Sequence, residues 1–329
     1  MRVACVGGAG FVGHHLALRL AAEGAEPLVL DCLAVNHVCS LLESTDNRWG
    51  PLWARMAMER MALLRASNIP FIHCDARDYH MLSKHLREFH PDAIVHLAAV
   101  AHIDRANKDP ATTFDHSLRT LENSLDAAKA LNIGQFVYFS SSTAYGPFLT
   151  PVIDEKHSLN PVGVYGTLKA CGEMLVRTYQ DTYGLNCTIV RPQALYGPRC
   201  VSGRVIQKFI ENAIDGKPIR IDGDGSACHD FTFVADLVEG VCLVLRKPEA
   251  WRETFNMTAG EAHSLAYLAE LVQRAFPEAK VVHGPADPEK PSRGTMSSAK
   301  AIRLLGYQPQ WPFERGVAAY CDWYKTFLQ

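Results

Sequence analysis

Val3-Ala4-Cys5-Val6-Gly7-Gly8-Ala9-Gly10-Phe11-Val12-Gly13 is the stretch on which the fold turns. A short apolar run, long enough for one buried strand, ends at Gly7, and a helical pattern of apolar residues begins after Gly10. Glycine tolerates the tight turn between the two and lets the backbone approach a ligand closely. A helix starting there offers unpaired N–H groups to an anion, and its dipole favours negative charge. The stretch predicts a strand–turn–helix unit that holds a dinucleotide pyrophosphate around Gly7, Gly10, Phe11, Val12 and Gly13.

Outward from this unit the same texture repeats. Short apolar runs at 3–6, 27–30, 71–72, 93–97, 135–139 and 187–190 read as strands buried on both faces. Amphipathic stretches such as 15–23 and 120–131 lie between them. That alternation implies βαβ units and an α/β fold with a doubly wound parallel sheet. Asp31 ends the second run, where a carboxylate accepts hydrogen bonds from ribose hydroxyls and repels a 2′-phosphate. Cys32 follows rather than an arginine, so the expected cofactor is NAD rather than NADP.

After Arg191 turn clusters dominate, at 196–198, 222–225 and 286–291, with helical patterns at 205–214 and 265–276 between them. The expectation is a dinucleotide-binding domain over 1–190, with segments near 229–256 returning to it. Residues 191–329 form mainly a smaller mixed α/β substrate lobe. The 36–66 stretch carries a helix with Trp53, Met56, Ala57, Met61 and Leu64 on one face. A packed surface helix is the expected reading; a flap over the cofactor and an oligomer contact are the alternatives.

Composition narrows the function. Of 329 residues, 48% are hydrophobic and 21% charged, and the net charge is -2, which gives no electrostatic footprint for nucleic acid. No apolar run reaches the length of a membrane span, and the opening residues run straight into a strand rather than a cleavable leader, so a cytoplasmic enzyme is expected. None of the ten cysteines is spaced as CxxC, which points to reduced thiols and to no metal site.

Tyr165 and Lys169 stand four apart in a stretch that reads as helix up to Gly184, so both side chains share a face. A nearby ammonium stabilises a phenolate, which predicts that Lys169 lowers the Tyr165 pKa. Ser140-Ser141-Ser142-Thr143 closes the strand at 135–139, at the carboxyl end where ligands gather in a parallel sheet.

With these motifs in place, the chain resembles the extended short-chain dehydrogenases/reductases, the nucleotide-sugar epimerase/dehydratase group. The likeness also takes in Cys74-Asp75-Ala76-Arg77-Asp78, Val95-His96-Leu97-Ala98-Ala99 and Ser140–Gly146. It continues through Arg191-Pro192-Gln193-Ala194-Leu195-Tyr196-Gly197-Pro198-Arg199, Phe255-Asn256-Met257 and 304–309. The resemblance implies a Rossmann domain. Asp75 and Ala76 would lie near the adenine, and Leu97, Ala98, Ala99 and Pro192 beside the cofactor, with Cys32 next to Asp31. Ser141 falls on the family's catalytic hydroxyl, with Ser142 as the neighbouring alternative, alongside Tyr165 and Lys169.

Three positions depart from the family pattern. Ala194 stands where an asparagine usually helps hold the substrate, and His229-Asp230 stands where an arginine–aspartate pair often reads the diphosphate. Arg199, Arg204 and Arg293 are further candidates for the phosphates. Ser142-Thr143 occupies the place of the Asp-Glu pair of 4,6-dehydratases, which weighs against 4,6-dehydration. The expected function is an NAD-dependent nucleotide-sugar epimerase acting at C4. A dehydratase, decarboxylase or reductase of the same family is the alternative, and an NAD-sensing binding protein is the reading outside enzymes. The resemblance, with Met174, Leu175 and Tyr179 on the Tyr165 helix, implies a homodimer through that helix and the one following Ala98-Ala99.

Overall fold

The computed structural model describes residues 1–35, 37–43, 48–100, 103–286 and 293–329. Seven parallel strands form the main sheet: β1 (Arg2–Val6), β2 (Glu26–Asp31), β3 (Phe71–His73), β4 (Ala93–His96), β5 (Gln135–Phe139), β7 (Cys187–Arg191) and β10 (Thr254–Asn256). Their spatial order is β10-β7-β5-β4-β1-β2-β3. The chain winds outward from β1 to β3, then crosses back to β4 on the other side of β1. The carboxyl ends of β1 and β4 thus flank the point where the winding reverses, which is where open α/β sheets bind ligands. Backbone bonds tie this point together: Gly7 N–H donates to Leu30 O at 2.8 Å and Leu97 N–H to Val6 O at 2.8 Å.

Period-2 side-chain alternation gives the sheet two apolar faces. Val3, Cys5, Val95 and Val137 pack against α1 (Phe11–Ala22) and α10 (Val234–Arg246), and α12 (Ala299–Leu305) joins that layer. Ala4, Val6, Ile94 and Phe136 face the other way, onto α4 (Tyr79–Phe89), α7 (Thr120–Ala130) and α8 (Gly163–Tyr183). Between β4 and α7 run α5 (Ile103–Lys108), α6 (Pro110–Phe114) and one π-helical turn, Asp115–Arg119. Helix α8 ends at Gly184, whose φ of +71° is the left-handed conformation that closes helices.

The smaller lobe has its own core, formed by α9 (Val205–Ile214), α11 (Leu265–Ala275) and α13 (Phe313–Phe327). Three two-stranded pairs complete it: β6 (Val152–Ile153) with β13 (Thr295–Met296), β8 (Ile219–Asp222) with β12 (Val281–Gly284), and β9 (Cys228–His229) with β11 (His263–Ser264). The seventh strand of the main sheet, β10, comes from the second half of the chain. Its three residues are too short a run to stand out as a strand in sequence.

The 36–66 stretch folds into α2 (Val38–Leu42) and the long α3 (Trp49–Ala66); residues 36 and 44–47 lie outside the described part. Met56, Ala57 and Leu64 are buried, as the packed-helix reading expects. Trp49 Nε1 donates to Asp215 at 3.1 Å and Trp53 Nε1 to Glu211 at 2.6 Å, so α3 clasps the smaller lobe. Arg60 shares the buried face and donates twice to Arg199 O, a polar contact that hydrophobic periodicity could not reveal.

Candidate active site

The glycine turn has the shape a pyrophosphate needs. Gly7 has φ +81°, and a Cβ there would lie 2.6 Å from Ala98 N. A Cβ on Gly13 would lie 2.6 Å from Gly8 O, so α1 can start this close to the turn only without side chains. Gly10 caps α1 with no side-chain bond to the first-turn N–H groups. These donors, with half-exposed Phe11 and Val12 beside them, suit an anion. Asp31 Oδ2 accepts Ala9 N–H at 3.0 Å and Oδ1 accepts Leu33 N–H at 2.8 Å, which fixes the carboxylate at the end of β2. Burial pushes its pKa up, against these bonds. Cys32 follows, half-buried, and burial raises its thiol too.

On the far side of the turn Asp75 pairs with Arg77 at 2.6 Å, which holds its carboxyl below the usual range. Ala76 is buried beside it. Leu97, Ala98 and Ala99 are half-exposed where β4 ends, and Pro192 O accepts Ser142 N–H at 2.9 Å. The donors, the side-chain-free cradle and the carboxylate together fit a dinucleotide without a 2′-phosphate.

Tyr165 lies in the first turn of α8, 8% exposed, and the Ser141 hydroxyl is one of the groups that lower its pKa against burial. Ser141 itself caps a 3₁₀ turn, Ser142–Tyr145, and its Oγ accepts Thr143 N–H at 3.2 Å. Ser142 is drawn elsewhere, its Oγ accepting from Arg293 at 2.8 Å. Of the two candidate serines, Ser141 is the one that acts on the tyrosine's pKa.

Lys169 sits one turn below Tyr165, buried, with Nζ donating to Phe139 O at 2.5 Å. Burial pushes its amine down to about 7, opposed by Glu173. The expectation that Lys169 lowers the Tyr165 pKa is not met by the chain alone. Burial raises the phenol, and the groups that counter it are Arg204, Ser141 and Arg293. Helical spacing brought tyrosine and lysine to one face, but it could not show that Nζ turns to the end of β5.

A buried polar network behind the pair went unread in the sequence. Glu173 accepts Ser140 Oγ–H at 2.5 Å and takes Arg191 in a two-pronged pair at 2.8 and 2.5 Å. Arg191 NH1 donates to Tyr145 Oη at 2.6 Å, and Tyr145 donates to Asn256 Oδ1 at 2.7 Å. The signal was available: Tyr165, Lys169 and Glu173 continue one i, i+4 stripe.

The other candidate residues separate. Arg204 caps α9 and, with Arg293, is a cation acting on Tyr165. Arg199 is instead engaged inside the protein, donating to His14 Nε2 at 3.0 Å and pairing with Glu59 at 3.2 Å. Ala194 has φ +41°, a left-handed conformation that asparagine tolerates better than alanine. His229 lies on β9 in register with His263, edge-on to Phe231 at 5.6 Å. Its neighbour Asp230 is buried and accepts from Gly260 N–H and Met296 N–H, tying β13 down; burial raises its pKa to about 7. Among the described residues no cluster of His, Cys, Asp and Glu could hold a metal, and no helix is long and apolar enough to cross a membrane.

Comparison with known proteins agrees with this geometry. An uncharacterized UDP-glucose epimerase of Bacillus subtilis (strain 168) is 28% identical over 322 residues, 96% of this chain and 96% of that protein. The crystal structure of the Thermus thermophilus UDP-glucose 4-epimerase in complex with NAD is 27% identical, covers 99% of both chains and has a TM-score of 0.83. The dTDP-glucose 4,6-dehydratase DesIV of Streptomyces venezuelae, solved with NAD bound, is 28% identical over 99% of this chain and 97% of its own, with a TM-score of 0.85. The sequence model of the NAD dependent epimerase/dehydratase family matches residues 3–258. The chain thus belongs to the NAD-dependent epimerase/dehydratase family, and it is an enzyme with NAD as its cofactor.

Proposed function

We propose that the protein is a nucleotide-sugar 4-epimerase. The observation that carries this reading is the buried Tyr165 phenol with Ser141 acting to lower its pKa, beside a turn after β5 that offers hydroxyls and no acid. Ser141 would position the sugar C4 hydroxyl, and Tyr165 as phenolate would take its proton. Arg204 and Arg293 favour that phenolate against the cost of burial. Bound NAD would supply reversible hydride transfer at C4, by which the sugar passes through its 4-keto form. Tyr165 would return its proton to the new hydroxyl.

Gly7, Gly10, Phe11, Val12 and Gly13 would hold the pyrophosphate, Asp31 and Cys32 the adenosine ribose, and Asp75 and Ala76 the adenine. Leu97, Ala98, Ala99 and Pro192 would line the nicotinamide side, with Lys169 on its ribose. Arg204 and His229 are the proposed partners of the substrate diphosphate, with Ala194 lining the same pocket. A 4,6-dehydratase would need an acid at the C6 hydroxyl. Ser142 and Thr143 supply none, and two other carboxylates are committed, buried Glu173 to Arg191 and half-buried Glu155 to Asn256 N–H.

The test is Tyr165→Phe, assayed by NMR, which separates epimers of equal mass. Turnover should fall at least about 100-fold with NAD still bound, since a general acid–base group contributes roughly 10²–10⁴-fold. Retention of more than about a tenth of the activity would remove Tyr165 from this role. Stoichiometric NADH formation would mean a net dehydrogenase instead.

A further inference from the structure

We infer that Gln207 is a positioning residue for Arg204, and that helix α3 sets it in place through Trp53 and Glu211. This rests on the reading of Tyr165 as the proton-transferring group and adds the device that holds a cation beside it. The device begins with a carboxylate. Glu211 on α9 is 5% exposed and accepts three bonds, from Trp53 Nε1 at 2.6 Å, Gln207 Nε2 at 2.8 Å and Tyr324 Oη at 3.0 Å. Those donors stand on three helices, α3, α9 and α13. An ionised carboxylate only accepts, so the Gln207 amide turns its NH2 toward Glu211 and its carbonyl away. There Gln207 Oε1 accepts Ser202 N–H and Gly203 N–H, each at 2.9 Å. Gln207 is 1% exposed, so little water can take its place.

Ser202 and Gly203 immediately precede Arg204, which caps α9. Gly203 has φ +60°, a conformation that most side chains would strain. The same segment is held at its other end, where Arg60 of α3 donates to Arg199 O. Both holds lead back to α3, whose Met61 and Leu64 pack in one cluster with Ala9 and with Val29 of β2. A glutamine at the third position of a helix can reach back to the preceding N–H groups as a simple cap. A cap does not need a buried carboxylate behind it, or an indole from another helix behind the carboxylate. Position matters because Coulomb attraction falls with distance and is weakly screened where water is scarce. A displaced Arg204 would favour the Tyr165 phenolate less. The other groups acting at that phenol are Ser141 and Arg293, with the Tyr138 phenol nearby, while Lys169 turns to Phe139 O.

The experiment is NMR titration of the NAD-loaded protein carrying isotope-labelled tyrosine, with Tyr165→Phe to assign the signal. It is run on wild type, Arg204→Gln, Gln207→Leu, Trp53→Phe and the double variant Arg204→Gln with Gln207→Leu. Arg204→Gln should raise the Tyr165 midpoint by about one pH unit, the loss of a nearby opposite charge. Gln207→Leu should raise it by at least about half as much, since the cation is displaced rather than removed. The double variant should go no further than Arg204→Gln alone, because both changes act through one group. Trp53→Phe keeps a ring packed in α3 and loses only the N–H. It should give a smaller rise, and it carries the test if Gln207→Leu does not fold. A midpoint unmoved by Arg204→Gln, or unmoved by Gln207→Leu and Trp53→Phe, would overturn the inference. So would additive shifts in the double variant, which would leave Gln207 as a local cap of α9. The expected shifts in a protein that converts no nucleotide sugar to its epimer would uphold the positioning role and overturn the epimerase reading.

Discussion

At the scale of single residues, the site is decided by where buried groups keep their protons. Tyr165 and Lys169 are both withdrawn from water, and burial pushes the phenol up and the amine down, so each favours its neutral form. The lysine has a measurable consequence. The folded chain binds its proton only below about 7, whereas the unfolded chain keeps the ammonium up to its ordinary value of 10.5. Between those values the unfolded state holds more protons, so this group adds stability as pH rises and withdraws it as pH falls through the folded pKa. Lys169→Met removes that dependence. Relative to wild type, the variant should be most stable near pH 6 and lose its margin as pH climbs toward about 10. Urea melts of both proteins across that range check it; a margin that is flat with pH would mean Lys169 stays charged when folded.

At the scale of elements, α8, β7 and the turn after β5 are held in register by one buried ion pair. Glu173 and Arg191 are 0% and 1% exposed, and each also serves a hydroxyl, on Ser140 and Tyr145. Glu173→Gln should destabilise the protein by about 3–5 kcal/mol, because it leaves the Arg191 charge buried and uncompensated. The double change Glu173→Leu with Arg191→Met should recover much of that loss, since packed apolar groups carry no desolvation cost. Denaturant unfolding of the three proteins decides the point; equal stability of wild type and Glu173→Gln would show that the Arg191 charge does not depend on this partner. Helix α3 works by the opposite logic. Its apolar face was legible from periodicity, yet its placement depends on Trp49, Trp53 and Arg60 reaching polar groups of the second half of the chain.

At the scale of the whole molecule, the two helical surfaces beside the sheet bear on assembly. Of the three residues expected at a subunit contact, Met174 is 67% exposed, Leu175 is half-buried, and Tyr179 is buried within the chain against Tyr183. We propose a homodimer in which α8 and the helical run after Ala98-Ala99, from α5 to α7, form a self-complementary four-helix contact between subunits. Light scattering at micromolar concentration should then give about twice the 36.4 kDa of one chain. A mass near one chain would contradict it, and Met174→Glu should shift a true dimer toward monomer.

The sequence by itself determined the doubly wound sheet, the glycine turn and the placing of Tyr165 and Lys169 on one helix. All three are local: a strand's apolar run, a turn only glycine can make, and two residues one helical turn apart. It left open what depends on chain segments far apart in number. Arg293, from the far end of the chain, takes Ser142, while Ser141 is the serine that acts on the Tyr165 pKa. Arg199 is spent on His14 and Glu59 because α3 folds over the start of α1. The lysine that spacing assigned to lowering the tyrosine pKa turns to Phe139 O instead, and burial outweighs the cations near the phenol. Spacing fixes which face of a helix a side chain occupies; only the packed structure fixes which charges it meets there and how little water remains between them.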